Sequence, residues 1–168
     1  MDQQSITKLA LELAPRLIEN NKVLATAESC TGGWIAKTLT DIDGSSQWFD
    51  CAIVTYSNKA KVNLLGVQEL ALDSHGAVSQ SVVKEMVLGL LDRSDANIGI
   101  SVSGIAGPGG GTQNKPVGTV WIAWAKPGQL IEAVRFQFKG DREAVRLQAV
   151  YEALKGIERL LVDQDDRH

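Results

Sequence analysis

The sequence predicts a three-layer α/β/α sandwich around a mixed, mostly parallel sheet of about five strands, one of them antiparallel. Three observations lead there. Apolar runs of strand length alternate with stripes of apolar residues at helical spacing. Each of the first three strand candidates is separated from the next by helical sequence, which calls for parallel crossovers. The third and fourth are joined by a glycine-rich stretch with no helix, so the fourth should run antiparallel, and its hairpin partner should run parallel to the first three.

The elements follow in order. Ile6, Leu9, Ala10, Leu13, Leu17 and Ile18 repeat at helical spacing, and Pro15 inside that pattern predicts a kink or a division. A strand over 22–27 leads into Thr26-Ala27-Glu28-Ser29-Cys30-Thr31-Gly32-Gly33, and a helix over 31–41 leads out, closed by the turn Asp43-Gly44-Ser45-Ser46. The β-branched and aromatic run 48–56 forms the second strand. Ser57 and Asn58 cap a short helix over 59–65 that stops at Gly66, and a further helical piece covers 68–72. Ser79 caps an amphipathic helix burying Val82, Val83, Met86, Val87 and Leu90. The third strand, 96–102, runs into the loop from Ser103 to Gly111. Strands 117–125 and 130–138 form a hairpin across Lys126-Pro127-Gly128-Gln129. A last helix begins near Asp141 and buries Leu147, Val150, Tyr151, Leu154 and Leu161, and 162–168 reads as a frayed polar tail. Without an internal repeat or linker, residues 1–168 are expected to form one domain.

In this topology four segments meet at the carboxyl edge of the parallel strands, where open α/β sheets bind ligands: Ser29, Tyr56 to Lys59, the 103–111 loop, and Gly140-Asp141-Arg142. Gly32 and Gly33 allow close backbone approach, and free N–H groups gather where a helix starts, a setting suited to an anion or a developing oxyanion. Lys59 and Arg142 fall in predicted first turns, where the helix dipole disfavours a cation. Such departures from local rules mark function. Near Ser29, a partly buried Lys59 with a lowered pKa is able to take the serine proton. Arg142 cannot be neutralised and calls for a bound anion, for which phosphate is the natural candidate. Each residue has a plainer alternative. Ser29 and Thr31 are also good helix caps, Lys59 is also a solvated surface lysine, Arg142 has Asp141 and Glu143 for neighbours, and Cys30 and Tyr56 are also ordinary core types.

Composition narrows the class. The 168 residues are 44% hydrophobic and 22% charged, with a net charge of −3 and the charges scattered. That balance gives no support to a nucleic-acid surface. No apolar run is long enough to span a bilayer, and Met1-Asp2-Gln3-Gln4 opens no signal peptide, so a cytoplasmic protein is expected. Cys30 and Cys51 have neither metal-ligand spacing nor a disulfide pattern, and the sequence offers no metal or cofactor site. Sheet edges and exposed Trp or Val residues leave room for a homodimer.

Four segments in order carry a resemblance over about residues 6 to 161: Ala27-Glu28-Ser29-Cys30-Thr31-Gly32-Gly33, Tyr56-Ser57-Asn58-Lys59-Ala60-Lys61, Ser103-Gly104-Ile105-Ala106-Gly107-Pro108-Gly109-Gly110, and Gly118-Thr119-Val120. Together they resemble the CinA C-terminal domain family, and the absence of the additional N-terminal domain of full-length CinA proteins makes the chain similar to the stand-alone amidases. The resemblance implies a three-layer Ser/Lys hydrolase that converts nicotinamide mononucleotide to nicotinate mononucleotide and ammonia, without metal or cofactor, in pyridine-nucleotide recycling. Carried onto this chain, it implies Ser29 as nucleophile, Lys59 as its base and Tyr56 as a helper. Cys30 or Thr31 would offer N–H groups to the oxyanion, with Gly32, Gly33, Ser103 and Gly104 around the substrate; topology and charge, and not the resemblance, put the 5′-phosphate against Arg142 and the N–H groups of the Gly107–Gly111 loop. The competing classes are a non-catalytic nucleotide-binding module and an interaction module linked to competence or DNA damage. Turnover separates them from an amidase.

Overall fold

The computed structural model describes residues 1–165, with side chains as far as Leu161. In chain order the elements are α1 (Gln3–Glu19), β1 (Leu24–Glu28), α2 (Trp34–Thr40), β2 (Phe49–Val54), α3 (Asn58–Leu65), α4 (Glu69–His75), α5 (Gln80–Asp92), β3 (Ile98–Gly104), β4 (Thr119–Ala125), β5 (Glu132–Gln137) and α6 (Arg142–Asp165). The sheet order is β2-β1-β3-β4-β5. β1 pairs in parallel with both β2 and β3, while β4 runs antiparallel to β3 and to β5. This is the three-layer mixed sheet that the sequence predicts.

Two apolar layers sandwich the sheet. α1, α2 and α6 cover one face, with Ile6, Leu13, Leu17, Ile35, Val150 and Leu154 in its core. α5 packs on the other face through Val82, Val83, Met86, Val87 and Leu90, and carries α3 and α4 outside it. β1 is an interior strand, between β2 and β3, and covered on both sides, so all five of its residues are buried. The contact of α3 with α5 is close because position 89 has no side chain. A Cβ at Gly89 would lie 1.8 Å from the Leu65 carbonyl oxygen of α3.

Some local expectations change. α1 runs through Pro15 as one helix, undivided, because packing of its apolar stripe on α6 outweighs one lost backbone hydrogen bond. Leu147 and Tyr151 of α6 are only partly buried, whereas Val150, Leu154 and Leu161 are fully so. α6 continues to Asp165, past the point where the polar tail was expected to fray, and the side chains of that tail lie outside the described residues.

α2 starts at Trp34 and not at residue 31, for a reason that lies in β1. Glu28 ends that strand with a fully buried side chain, and a buried carboxylate must find donors. It finds four. Oε1 accepts from Thr31 Oγ1 at 2.8 Å and from the Ile35 N–H at 2.9 Å. Oε2 accepts from the Ala36 N–H at 3.0 Å and from Thr26 Oγ1 at 3.2 Å. The carboxylate thus caps α2 in place of an N-cap side chain and fixes the 29–33 turn between strand and helix. Replacing Glu28 with Ala leaves four donors, three of them buried, without an acceptor, at about 1 kcal/mol or more each. Urea unfolding should show a loss of about 4 kcal/mol, and a loss below about 1 kcal/mol would contradict this role for the carboxylate.

Candidate active site

Three strand ends stand side by side at the carboxyl edge of the sheet. The Ser29 N–H donates to the Val102 carbonyl of β3, and the Thr55 N–H, just past β2, donates to the Glu28 carbonyl. Ser29 is therefore seated between Thr55 and Ser103, and it is 6% exposed. Its hydroxyl lies 3.0 Å from Nζ of Lys61, whose side chain is 1% exposed. The same Nζ donates to the Thr55 carbonyl oxygen at 2.9 Å. Among the described residues no carboxylate forms an ion pair with Lys61, and burial lowers its pKa from the ordinary 10.5. Nζ thus donates to a hydroxyl and to a carbonyl, neither of which carries a charge.

The base expected from the sequence was Lys59; the lysine placed beside Ser29 is Lys61, and Lys59 is exposed. Both lysines sit near the start of α3, where Ser57 Oγ accepts from the Ala60 N–H. Helical spacing decides between them. Lys61 shares its stripe with Leu65, four residues on, and both are buried against the sheet end and α5. Lys59 lies on the outer face, exposed, beside Val62, Asn63, Glu69 and Asp73. The signal was present in the sequence as the Lys61–Leu65 spacing, but a lysine on an apolar stripe is ordinarily read as an exception to the stripe.

The remaining expected residues fall into two groups. Cys30, Thr31, Gly32 and Gly33 form the turn after Ser29. Gly32 and Gly33 have φ of +60° and +99°, and the Gly32 N–H returns to the Ser29 carbonyl at 3.0 Å. The N–H groups of Ile35 and Ala36 are taken by Glu28, so the start of α2 has none of the free donors expected there. Those of Cys30 and Thr31, by contrast, donate to no acceptor among the described residues. The Cys30 thiol itself is pushed up to about 12 by burial, which leaves it a protonated, poor nucleophile. Ser103 and Gly104 end β3 beside Ser29, with Ser103 buried.

The second group closes the rim. Arg142, in the first turn of α6, donates to the Gly107 carbonyl at 2.7 Å and to the Tyr56 hydroxyl at 2.8 Å. It has no acidic partner within ion-pair distance among the described residues, so neither Asp141 nor Glu143 neutralises it. Asp141 instead caps α6, accepting from the Ala144 N–H. Tyr56 is 66% exposed, and its hydroxyl bonds Arg142 and not Ser29 or Lys61. Two residues that the sequence reading left without a role belong to the site: Glu28, beneath the turn, and Arg146, which donates to the carbonyls of Cys30 and Thr31 at 2.9 and 3.2 Å. Among the described residues no group of three or more His, Cys, Asp and Glu is placed to hold a metal ion, and no helix is long and apolar enough to cross a membrane.

A buried serine and lysine at a strand-to-helix corner, with free N–H groups one and two residues beyond the serine, is equipment for acyl transfer. Comparison with known proteins agrees. The chain is 53% identical over 156 residues to the nicotinamide-nucleotide amidohydrolase PncC of Enterobacter agglomerans, covering 92% of this chain and 94% of that one. It is 51% identical over 152 residues to the enzyme of the same name from Pseudomonas putida, covering 90% and 94%. The crystal structure of competence/damage inducible protein CihA from Agrobacterium tumefaciens superposes with a TM-score of 0.91 at 40% identity, over 93% of this chain and 95% of that one. The model of the CinA C-terminal domain matches residues 6–161, and the chain belongs to that family.

Proposed function

We propose that this protein is a nicotinamide-nucleotide amidohydrolase that cleaves the carboxamide of nicotinamide mononucleotide by a Ser29/Lys61 acyl-enzyme route. The substrate rests on the names and close similarity of the relatives, which match this chain almost end to end. The route rests on one observation, the 3.0 Å contact between a buried lysine amine and a buried serine hydroxyl.

The geometry supports the following steps. Neutral Lys61 takes the Ser29 proton as Oγ attacks the carboxamide carbon. The oxygen of the tetrahedral intermediate accepts from the free N–H groups of Cys30 and Thr31. The C–N bond then breaks, and the leaving nitrogen takes the proton from Lys61 and departs as ammonia. Water attacks the acyl-enzyme with Lys61 again accepting a proton, and the nicotinate nucleotide leaves as Ser29 recovers its hydrogen. The Thr55 carbonyl keeps Nζ pointed at Oγ through both halves of the cycle. The N–H groups after Ser29 cannot serve the oxyanion and the 5′-phosphate together, so the phosphate needs a second site. Arg142 fits that part. It carries an unpaired charge at the rim, and its bonds to Tyr56 and Gly107 tether the segments on either side of Ser29.

Ser29→Ala and Lys61→Met should each lower ammonia release from nicotinamide mononucleotide by about 10³-fold or more. Lys59→Ala should stay within about twofold of the wild type, as expected for an exposed surface lysine. Full activity in Lys61→Met, or its loss in Lys59→Ala alone, would remove the assignment. Arg142→Ala should raise KM for the mononucleotide by about 10-fold or more while leaving KM for the phosphate-free riboside nearly unchanged. An equal effect on both substrates would remove the phosphate role.

A further inference from the structure

Arg146 is the cation whose placement the mechanism above leaves unexplained. It sits in the second turn of α6, near the end of the helix where the dipole disfavours positive charge. Among the described residues no carboxylate forms an ion pair with it. Its donors go instead to two main-chain carbonyls of the turn after Ser29: Nε to Cys30 at 2.9 Å and a terminal nitrogen to Thr31 at 3.2 Å. The guanidinium also lies over the Trp34 ring, 5.5 Å from its centroid, and the Trp34 indole N–H is in turn held by Gln3 Oε1 at 2.8 Å. A Cβ at Gly32 would come within 3.3 Å of the same guanidinium, so the turn lies flat against it.

Peptide geometry gives this clamp a consequence. In a planar trans peptide the carbonyl and the following N–H point in opposite directions. Holding the Cys30 carbonyl toward α6 turns the Thr31 N–H away from α6, and holding the Thr31 carbonyl does the same for the Gly32 N–H. The latter is returned to the Ser29 carbonyl, while the former has no acceptor among the described residues. α6 and α2 cover one face of the sheet, and Lys61 reaches Ser29 from α3 on the other. The Thr31 N–H is thus turned from the arginine layer toward the cleft. A charge-assisted bond to the carbonyl also polarises the N–H of the same peptide.

We propose that Arg146 is a positioning residue for the oxyanion site, fixing and polarising the Cys30–Thr31 peptide so that the Thr31 N–H meets the oxygen of the tetrahedral intermediate. This rests on the amidase reading above. It touches neither the substrate nor the reacting atoms, and acts through the main chain of the nucleophile turn.

The test compares the wild type with Arg146→Met, which keeps the stem and its packing on Trp34 but removes every donor, and with Arg146→Lys, which keeps the charge and fewer donors. Four quantities are measured: kcat, KM, affinity for pyridine-3-boronic acid as a mimic of the tetrahedral adduct on Ser29, and affinity for the product nicotinate mononucleotide. Arg146→Met should lower kcat by about 10–100-fold, less than the full loss of an oxyanion donor, with KM within about twofold. Boronic acid affinity should weaken by the same factor as kcat while product affinity holds, and Arg146→Lys should fall between on both scales. If Arg146→Met fails to fold, the parallel loss of kcat and boronic acid affinity in Arg146→Lys carries the test. Unchanged kcat in the folded variants overturns the proposal, and so does product affinity falling in step with kcat, the mark of a generally slackened site. Wild-type protein that releases no ammonia would sink the amidase reading itself. Wild-type turnover with indifferent Arg146 variants would sink this proposal alone.

Discussion

The amine of Lys61 against the hydroxyl of Ser29 is the contact to which the rest of the molecule is fitted. Burying a lysine head is costly unless its charge is given up, and among the described residues no carboxylate pairs with Lys61. Its partners are a hydroxyl and a carbonyl, both uncharged. The fold supplies the burial from two sides, with the sheet end above Thr55 and the close packing of α3 on α5 allowed by Gly89. A lysine whose pKa is lowered by burial gives up its proton more readily than an exposed one. The sign of the stability effect follows. The folded pKa lies below the unfolded one, so over the pH range between them the unfolded chain binds a proton that the folded chain refuses. Lys61 therefore costs stability near neutrality, and the cost fades as pH rises toward 10.5.

Around this contact two charged groups hold the turn after Ser29. Glu28 lies beneath it and takes the N–H groups of α2 for itself. Arg146 lies behind it and takes the carbonyls of Cys30 and Thr31. Among the described residues the N–H groups of Cys30, Thr31 and Gly33 are left at the turn without an acceptor, while Glu28 and Arg146 hold the groups around them.

Much of this was legible beforehand. The three-layer sheet, its one antiparallel strand and the meeting of four segments at one edge follow from strand-length apolar runs and from the missing helix between β3 and β4. The stripe of α5 was readable residue by residue, because period and burial agree there. The site was legible in its segments but not in its choice of lysine. The first-turn argument favoured Lys59, whereas helical phase against Leu65 places Lys61 inward, and phase prevails because it decides burial. Glu28 and Arg146 escaped for a different reason. Each acts on main-chain atoms far away in sequence or hidden within a motif, and side-chain spacing carries no trace of such bonds. The Pro15 break also failed, since one missing hydrogen bond weighs less than a continuous apolar stripe packed on α6.

The account's central claim is that burial beside Ser29 lowers the pKa of the Lys61 amine and so readies it to accept a proton. NMR titration of the Lys61 side chain, labelled at Cε and Nζ and assigned by comparison with Lys61→Met, measures this directly. The account predicts a midpoint clearly below 10.5. A Lys61 midpoint at or above 10.5 would mean a cation held in the site, and would contradict the account.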